Sequence, residues 1–457
     1  MTVRRYERYK DSGVEWLEAV PEHWDVAAVG YRYEVLLGKM LDEKRITGKH
    51  LAPYLRNIDV QWDRINVEDL PQMDFSGDDI NRYSVAPGDL LVCEGGEVGR
   101  AAIWRGEIPE CYYQKAIHRL RRRHKDADHP RFMFYVLRMA AAIGVFEASE
   151  GKSTIAHLTA EALRRYRFAF PPTREQERIA EFLDREAAKI DTLIAEQQRL
   201  VDLLTEKRQA VIAHAVTKGL NPSTPMKDSG FEWLGKVPSH WSVQPLKHVA
   251  DFRSGGTPDK SNLSFWDGAV PWASAKDLKV DDLFDTADHI TDEAVAAGVA
   301  SLVPVNSVLV VVRGMILART FPVVTARVPM AINQDLKAVA PRGAMQGDYL
   351  AWLLRASAAE SLSRLDEAGH GTKALRMDAW GAMRVPVPPP AEQQQIATYL
   401  KQACSVADAG LSDVQRGIAL LRERRTALIS AAVTGQIDVR QPSRMESTIA
   451  AHLQPHD

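Results

Sequence analysis

The densest run of cationic side chains, HRLRRRHK at His118–Lys125, carries the clearest chemical potential in this sequence. Six Lys or Arg fall between Arg119 and Arg131, against two Asp. Side chains alternate along a strand, so Arg119, Arg121 and Arg123 would share one face. Such a row can neutralise phosphates, and a single Arg can grip guanine through two hydrogen bonds in the major groove. A solvated strand edge is the competing reading. EGGEVGR at Glu94–Arg100 could bring its backbone and Arg100 close to a phosphate, or simply make a β-turn. Lys39 and Lys115 complete the candidate DNA contacts around it. Later in the chain the cations thin out to Arg253, Lys260, Lys276, Arg313, Arg319 and Lys337. Arg56-Asn57 and Ala273-Ser274 follow strand-like segments at matching places and could reach base edges.

Other spacings imitate known chemistry less completely. GKST at Gly151–Thr154 has the ending of a phosphate-binding loop, but the required leading Gly is Phe146, so the cradle is incomplete. It reads as a turn. Pro258-Asp259 with Asp277-Leu278-Lys279 could gather two carboxylates and a lysine around magnesium, or merely shape loops. An adenine methyltransferase would need an Asn/Asp-Pro-Pro-aromatic loop and a glycine-rich turn for its methyl donor. Asn221-Pro222 runs on into Ser-Thr, and GxGxxG does not occur. Trp16, Trp24, Trp233 and Trp241 could stack on bases, yet they recur at equivalent places in both halves, which fits shared core anchors. Cys93, Cys111 and Cys404, without a CxxC pair, suit a reducing cytoplasm and no zinc site. The formal charge of −2 means that DNA binding would rest on local positive charge or on a partner. No apolar run is long enough to span a bilayer, and the charged start lacks the apolar stretch of a secretory signal.

The elements that must position these residues occur twice. KDSGVEWLEAVPEHWDV at Lys10–Val26 returns as KDSGFEWLGKVPSHWSV at Lys227–Val243, 12 of 17 residues identical. The same offset of 217 maps Leu203–Thr217 onto Leu420–Thr434, 9 of 15 identical. Each half reads as mixed α/β (α+β), with short β-like runs followed by a helix-like stretch at Phe132–Phe146 or its counterpart. Arg138 and Arg355 fall at the same offset. Pro171-Pro172 and Pro388-Pro389-Pro390 close the halves.

Beyond each proline step apolar residues recur at alternating spacings of three and four, the seam of a coiled coil. The first seam includes Leu183, Ile190, Ile194, Val201, Leu204 and Arg208; the second includes Leu400, Leu411, Ile418, Leu421, Arg425 and Leu428. If a twofold axis relates the repeats, the two long helices pair antiparallel. Arg208 and Arg425 interrupt the seam at equivalent positions and need partners. Glu206 and Glu423 are matched as well, which suggests a repeated polar site.

The paired openings, the paired helix starts EQERIAEFL and EQQQIATYL, and the exits AVTKGL and AVTGQIDV resemble the specificity subunit of type I restriction–modification systems. RSGGTPDKSNLSFWDGAVPW at Arg253–Trp272 is similar to the start of a target recognition domain in that family. The resemblance covers about residues 10–440. It implies two target recognition domains, at 1–172 and 219–389, joined by long helices at 173–218 and 390–436, with a tail at 437–457. It further implies a non-catalytic chain that reads a bipartite, asymmetric site in double-stranded DNA and holds no cofactor. S-adenosylmethionine would belong to two modification subunits, and ATP and magnesium to restriction subunits. Two other classes remain open: a nuclease or methyltransferase with fused recognition domains, and a protein-binding coiled-coil scaffold.

Overall fold

Short apolar strands bounded by turn residues, and helices begun at prolines, build the molecule. The computed structural model describes residues 4–40, 47–147, 157–367 and 372–440. They divide into two compact units. One is formed by residues up to Gln197 together with those from Arg416 onward, the other by Gln198–Gln415.

In the first unit, β1 (Tyr33–Leu37), β2 (Leu90–Cys93), β3 (Ala101–Ile103) and β4 (Ile117–Arg122) form an antiparallel sheet in the order β3-β2-β4-β1. The interior strand β4 pairs Arg119 with Leu91 on one side and with Leu36 on the other. Helix α1 (Pro130–Ala142) opens on a proline, harmless there because the first turn leaves its N–H groups unpaired. Phe132, Met133, Phe134 and Leu137 of α1 share one core with Val35, Leu90, Val92 and Leu120. Leu91, Cys93 and Ile117 pack instead with Trp104 and Tyr113. Both faces of the sheet are therefore covered.

Helix α2 begins in this unit and spans Thr173–Lys218. Its first turn explains the repeated His-Trp and Glu-Gln pairs. Trp24 is fully buried and donates its indole N–H to Glu175 at 3.1 Å, and His23 lies 2.9 Å from the same carboxylate. Gln176 donates to Pro171 O at 2.9 Å and accepts the His129 amide at 2.8 Å.

The second unit repeats the plan. Its sheet contains β5 (Ala250–Ser254), β6 (Asp282–Leu283), β7 (Val308–Val311), β8 (Val323–Ala326) and β9 (Leu336–Pro341), in the order β5-β9-β7-β8-β6. All neighbours are antiparallel except β6, which runs parallel to β8. Helix α3 (Gly347–Ala356) buries Tyr349, Leu350, Leu353 and Leu354. Helix α4 (Pro390–Val433) starts as α2 does: Trp241 donates to Glu392 at 2.9 Å, and Gln393 donates to Pro388 O at 2.8 Å.

Each unit combines the start of one long helix with the end of the other. Ile179 and Leu183 join Ile429, Ala432 and Val433 in the first core, whereas Ile396 and Leu400 join Ile212, Ala215 and Val216 in the second. The paired segments therefore run antiparallel. Seam positions Leu183, Ile190, Leu400 and Ile418 are buried; Ile194, Val201, Leu204, Leu411, Leu421 and Leu428 are half-buried. Gly435, at φ +75°, turns the chain out of α4 where a Cβ would stand 2.3 Å from Pro21, so the Trp24 end of the unit requires glycine.

Candidate nucleic-acid interface

The arginine run does not form a charged face. Arg119 is 1% exposed, because β4 is an interior strand with both faces covered. Its guanidinium donates to Ser84 O at 2.6 Å and Arg82 O at 3.1 Å, and meets Glu34 at 3.0 Å. Contrary to the expectation from sequence, Arg119 therefore does not line up with Arg121 and Arg123 as free charge. Strand alternation fixes which side chains share a face, but not whether that face is buried. Arg121 grips Asp89 with two hydrogen bonds, at 2.9 and 2.6 Å, and the Asp89 hydrogen bond raises its pKa. Arg123 lies past the strand end, exposed, and donates to Gly30 O at 2.9 Å. His118 is buried with Nε2 2.5 Å from Leu158 O, and burial pushes its pKa down to about 4.

Two loops of the first unit do converge. Arg100, from the glycine-rich loop, donates to Asn57 Oδ1 at 2.8 Å and to Asn57 O at 3.0 Å. Asn57 in turn donates to Gly95 O at 2.9 Å. Arg56 is fixed on the buried Asp59 by bonds of 2.9 and 2.8 Å, so its charge is already matched. Lys39 contacts Asp79 at 2.7 Å and sits over the Phe75 ring. Lys115 is exposed and carries no ion pair among the described residues.

In the second unit Ser274 caps a turn through Asp277, with its amide at 2.8 Å and its hydroxyl at 2.9 Å from that carboxylate. Lys276 pairs with Asp288 at 2.7 Å, and Lys337 meets the Ser254 hydroxyl. Asp259 accepts the Ser261 amide and hydroxyl, so both carboxylates considered for a metal are shaping loops. No cluster of three metal-ligating residues occurs among the described residues. Arg253, Lys260, Arg313 and Arg319 are exposed, and none forms an ion pair among the described residues.

Large exposed apolar residues that sequence reasoning missed lie close along the chain to candidate contacts: Leu263 to Lys260, Met315 to Arg313, and in the first unit Ile58 to the neutral Asn57. An apolar side chain next to a free charge suits a groove in which phosphates and thymine methyl groups alternate. No periodic signal marks such residues. Gly255, within SGGTP, serves a packing need: a Cβ there would lie 2.0 Å from Ile332 O. The GKST motif lies outside the described residues. No helix among the described residues is long and apolar enough to cross a membrane.

Comparisons with known proteins agree with this architecture. The model of the type I restriction modification DNA specificity domain matches residues 34–201 and again 238–407. The type I restriction enzyme EcoR124I/EcoR124II specificity subunit of Escherichia coli is 29% identical over 180 residues, 39% of this chain. That match takes in 45% of the relative, so the chain spans under half its length there. The EcoBI specificity subunit of Escherichia coli is 24% identical over 380 residues, covering 79% of this chain and 76% of the relative. A chain solved in work on complex assembly and conformational transition of the type I R-M system has the same fold. Its TM-score is 0.71 at 15% identity, over 91% of this chain and 98% of that one.

Proposed function

We propose, for a chain that belongs to the family of type I restriction-modification DNA specificity domains, that it is the non-catalytic subunit that reads double-stranded DNA for a cytoplasmic type I complex. The observation that carries this reading is one scaffold built twice around different loops. The Trp24–Glu175 contact recurs as Trp241–Glu392, while the cation-bearing loops share neither partners nor spacing. A duplicated frame with divergent loops suits a bipartite, asymmetric target. The globules at 1–172 and 219–389 act as target recognition domains, each taking one half-site. The helices at 173–218 and 390–436 present the docking surface for two modification subunits. Those partners supply S-adenosylmethionine and the methyl transfer; restriction subunits supply ATP and magnesium. The residues of this chain that meet DNA include Lys115, Arg123, Arg253, Lys260, Arg313 and Arg319.

The test is single-molecule sequencing of host DNA with and without the chain. Methylated adenines in a two-part motif should vanish when the chain is removed. Methylation or cleavage by the purified chain alone, given S-adenosylmethionine, magnesium and ATP, would refute the reading.

A further inference from the structure

Two arginines of the first unit stand near one another with no carboxylate shared between them, and the second unit shows what such a pair requires. Arg138 and Arg355 are 217 positions apart, as are Arg208 and Arg425. In the second unit Asp281 serves both arginines, one oxygen 3.3 Å from Arg355 Nη2 and the other 4.0 Å from Arg208 Nη2. In the first unit Arg425 has Asp191 as its ion-pair partner, but no described residue bridges it to Arg138. Asp63, beside β3, is turned to Arg105 and Arg131. Among the described residues no carboxylate lies within ion-pair distance of Arg138, whose guanidinium sits 6.0 Å from the Trp62 ring.

Beside these arginines opens a cavity of about 570 Å³, walled by Trp62, Val98, Arg138, Met139, Arg425 and Ile429. Its acidic residues do not neutralise Arg138. Glu97 accepts the Trp62 indole N–H at 2.5 Å and lies 3.5 Å from Arg100, and Glu147 is exposed. Burial, and after it the Arg425 charge, pushes Arg138 below the ordinary arginine range, with Asp191, Tyr135 and Asp63 opposing. Arg355 is likewise pushed down by burial and by the Arg208 charge, with Asp281 and Asp282 opposing, so the two arginines differ in the ion pair and not in the direction of the shift.

We propose that this cavity binds a small carboxylate-bearing molecule with an apolar body, its carboxylate held by Arg138 and Arg425 as Asp281 is held in the second unit. Guanidinium forks match carboxylate geometry and are less strongly hydrated than ammonium groups, which favours them at half-buried sites. The volume falls in the usual range of ligand pockets, roughly 300–1,000 Å³, and Trp62, Val98, Met139 and Ile429 give the cavity an apolar side beside its charged residues.

Calorimetric titration of hexanoate and of benzoate into the full-length chain tests this. Saturable binding is expected for at least one of them, weakened about tenfold or more by Arg138→Met through loss of a charge-assisted bond. Ala142 is an exposed wall residue in the last position of α1, so Ala142→Trp should leave the fold intact and block binding. Inorganic phosphate should bind about tenfold more weakly, because it offers nothing to the apolar walls. Absence of binding to wild type, or undiminished binding to Ala142→Trp, overturns the site. Equal affinity for phosphate overturns its assignment to carboxylates. If Arg138→Met does not fold, the Ala142→Trp comparison still decides.

Discussion

Arg208 lies 2.8 Å from Asp408, joining the two helix segments of the second unit. The first unit holds the image of this pair. Arg425 stands 217 places beyond Arg208 and Asp191 stands 217 places before Asp408, and they too form an ion pair. Each repeat thus gives the arginine to one bridge and the aspartate to the other, as a pseudo-twofold relation demands. Asp408 is 50% exposed, so solvent screens the bridge. A double-mutant cycle with Arg208→Leu and Asp408→Leu, read by urea unfolding, should give a coupling below about 1 kcal/mol. The polar step then serves helix register more than stability, and a much larger coupling would contradict that.

Arg119→Met should damage folding rather than recognition. Glu34 and the carbonyls of Arg82 and Ser84 would lose their donor inside the first unit. Glu34 is nearly half exposed and regains water, so the loss comes mainly from the two carbonyls left without a donor, about 1–3 kcal/mol. Arg123→Ala, at an exposed position, should stay within about 0.5 kcal/mol of wild type. Denaturation midpoints of both variants decide the matter.

The exposed cations of the second unit should control salt dependence. Replacing Arg253, Lys260, Arg313 and Arg319 by Ala, singly and together, in the assembled complex should flatten the plot of log affinity against log salt. The expected change is about one in slope for each phosphate that is no longer neutralised. Variants that fold normally and keep the wild-type slope would remove these residues from the interface.

His118 predicts an acid-labile first unit. Burial holds its folded pKa near 4, against an ordinary value of 6.5. Above pH 6.5 the ring is neutral in both states and contributes no pH dependence. As pH falls from there to about 4, the unfolded chain takes up a proton that the folded ring refuses, and stability is lost. The loss amounts to at most about 3 kcal/mol and levels off below pH 4. His118→Gln, with an amide able to donate to Leu158 O, should flatten the decline in urea midpoint between pH 7 and pH 5. An unchanged decline would assign it to other groups.

The duplication and the helix seam were legible in the sequence for a direct reason. Identity at a fixed offset and a 3.5-residue period are one-dimensional signals that survive folding unchanged. Ala180, Leu183, Ala187 and Ile190, which the spacing selects, are all buried, and Ile179, which it does not select, is buried with them against the globule. The arginine run was not legible in the same way. Whether Arg119 faces solvent depends on strands contributed by Tyr33–Leu37 and Leu90–Cys93, distant in sequence. Arg56 could have been read better, since Asp59 three residues later makes a capping turn that occupies it. Exposed apolar residues such as Met315 and Leu263 leave no trace in sequence, because only the folded surface reveals that they are uncovered.

The closing of the first core by Ile429, Ala432 and Val433 has a consequence during synthesis. Gln198–Gln415 is one unbroken stretch and can collapse as soon as it clears the ribosome. The globule made first must wait, its Trp24 end uncovered, until the last turns of α4 emerge. A premature stop after Gln415 would spare the later globule and leave the earlier one unfinished, open to proteases and chaperones.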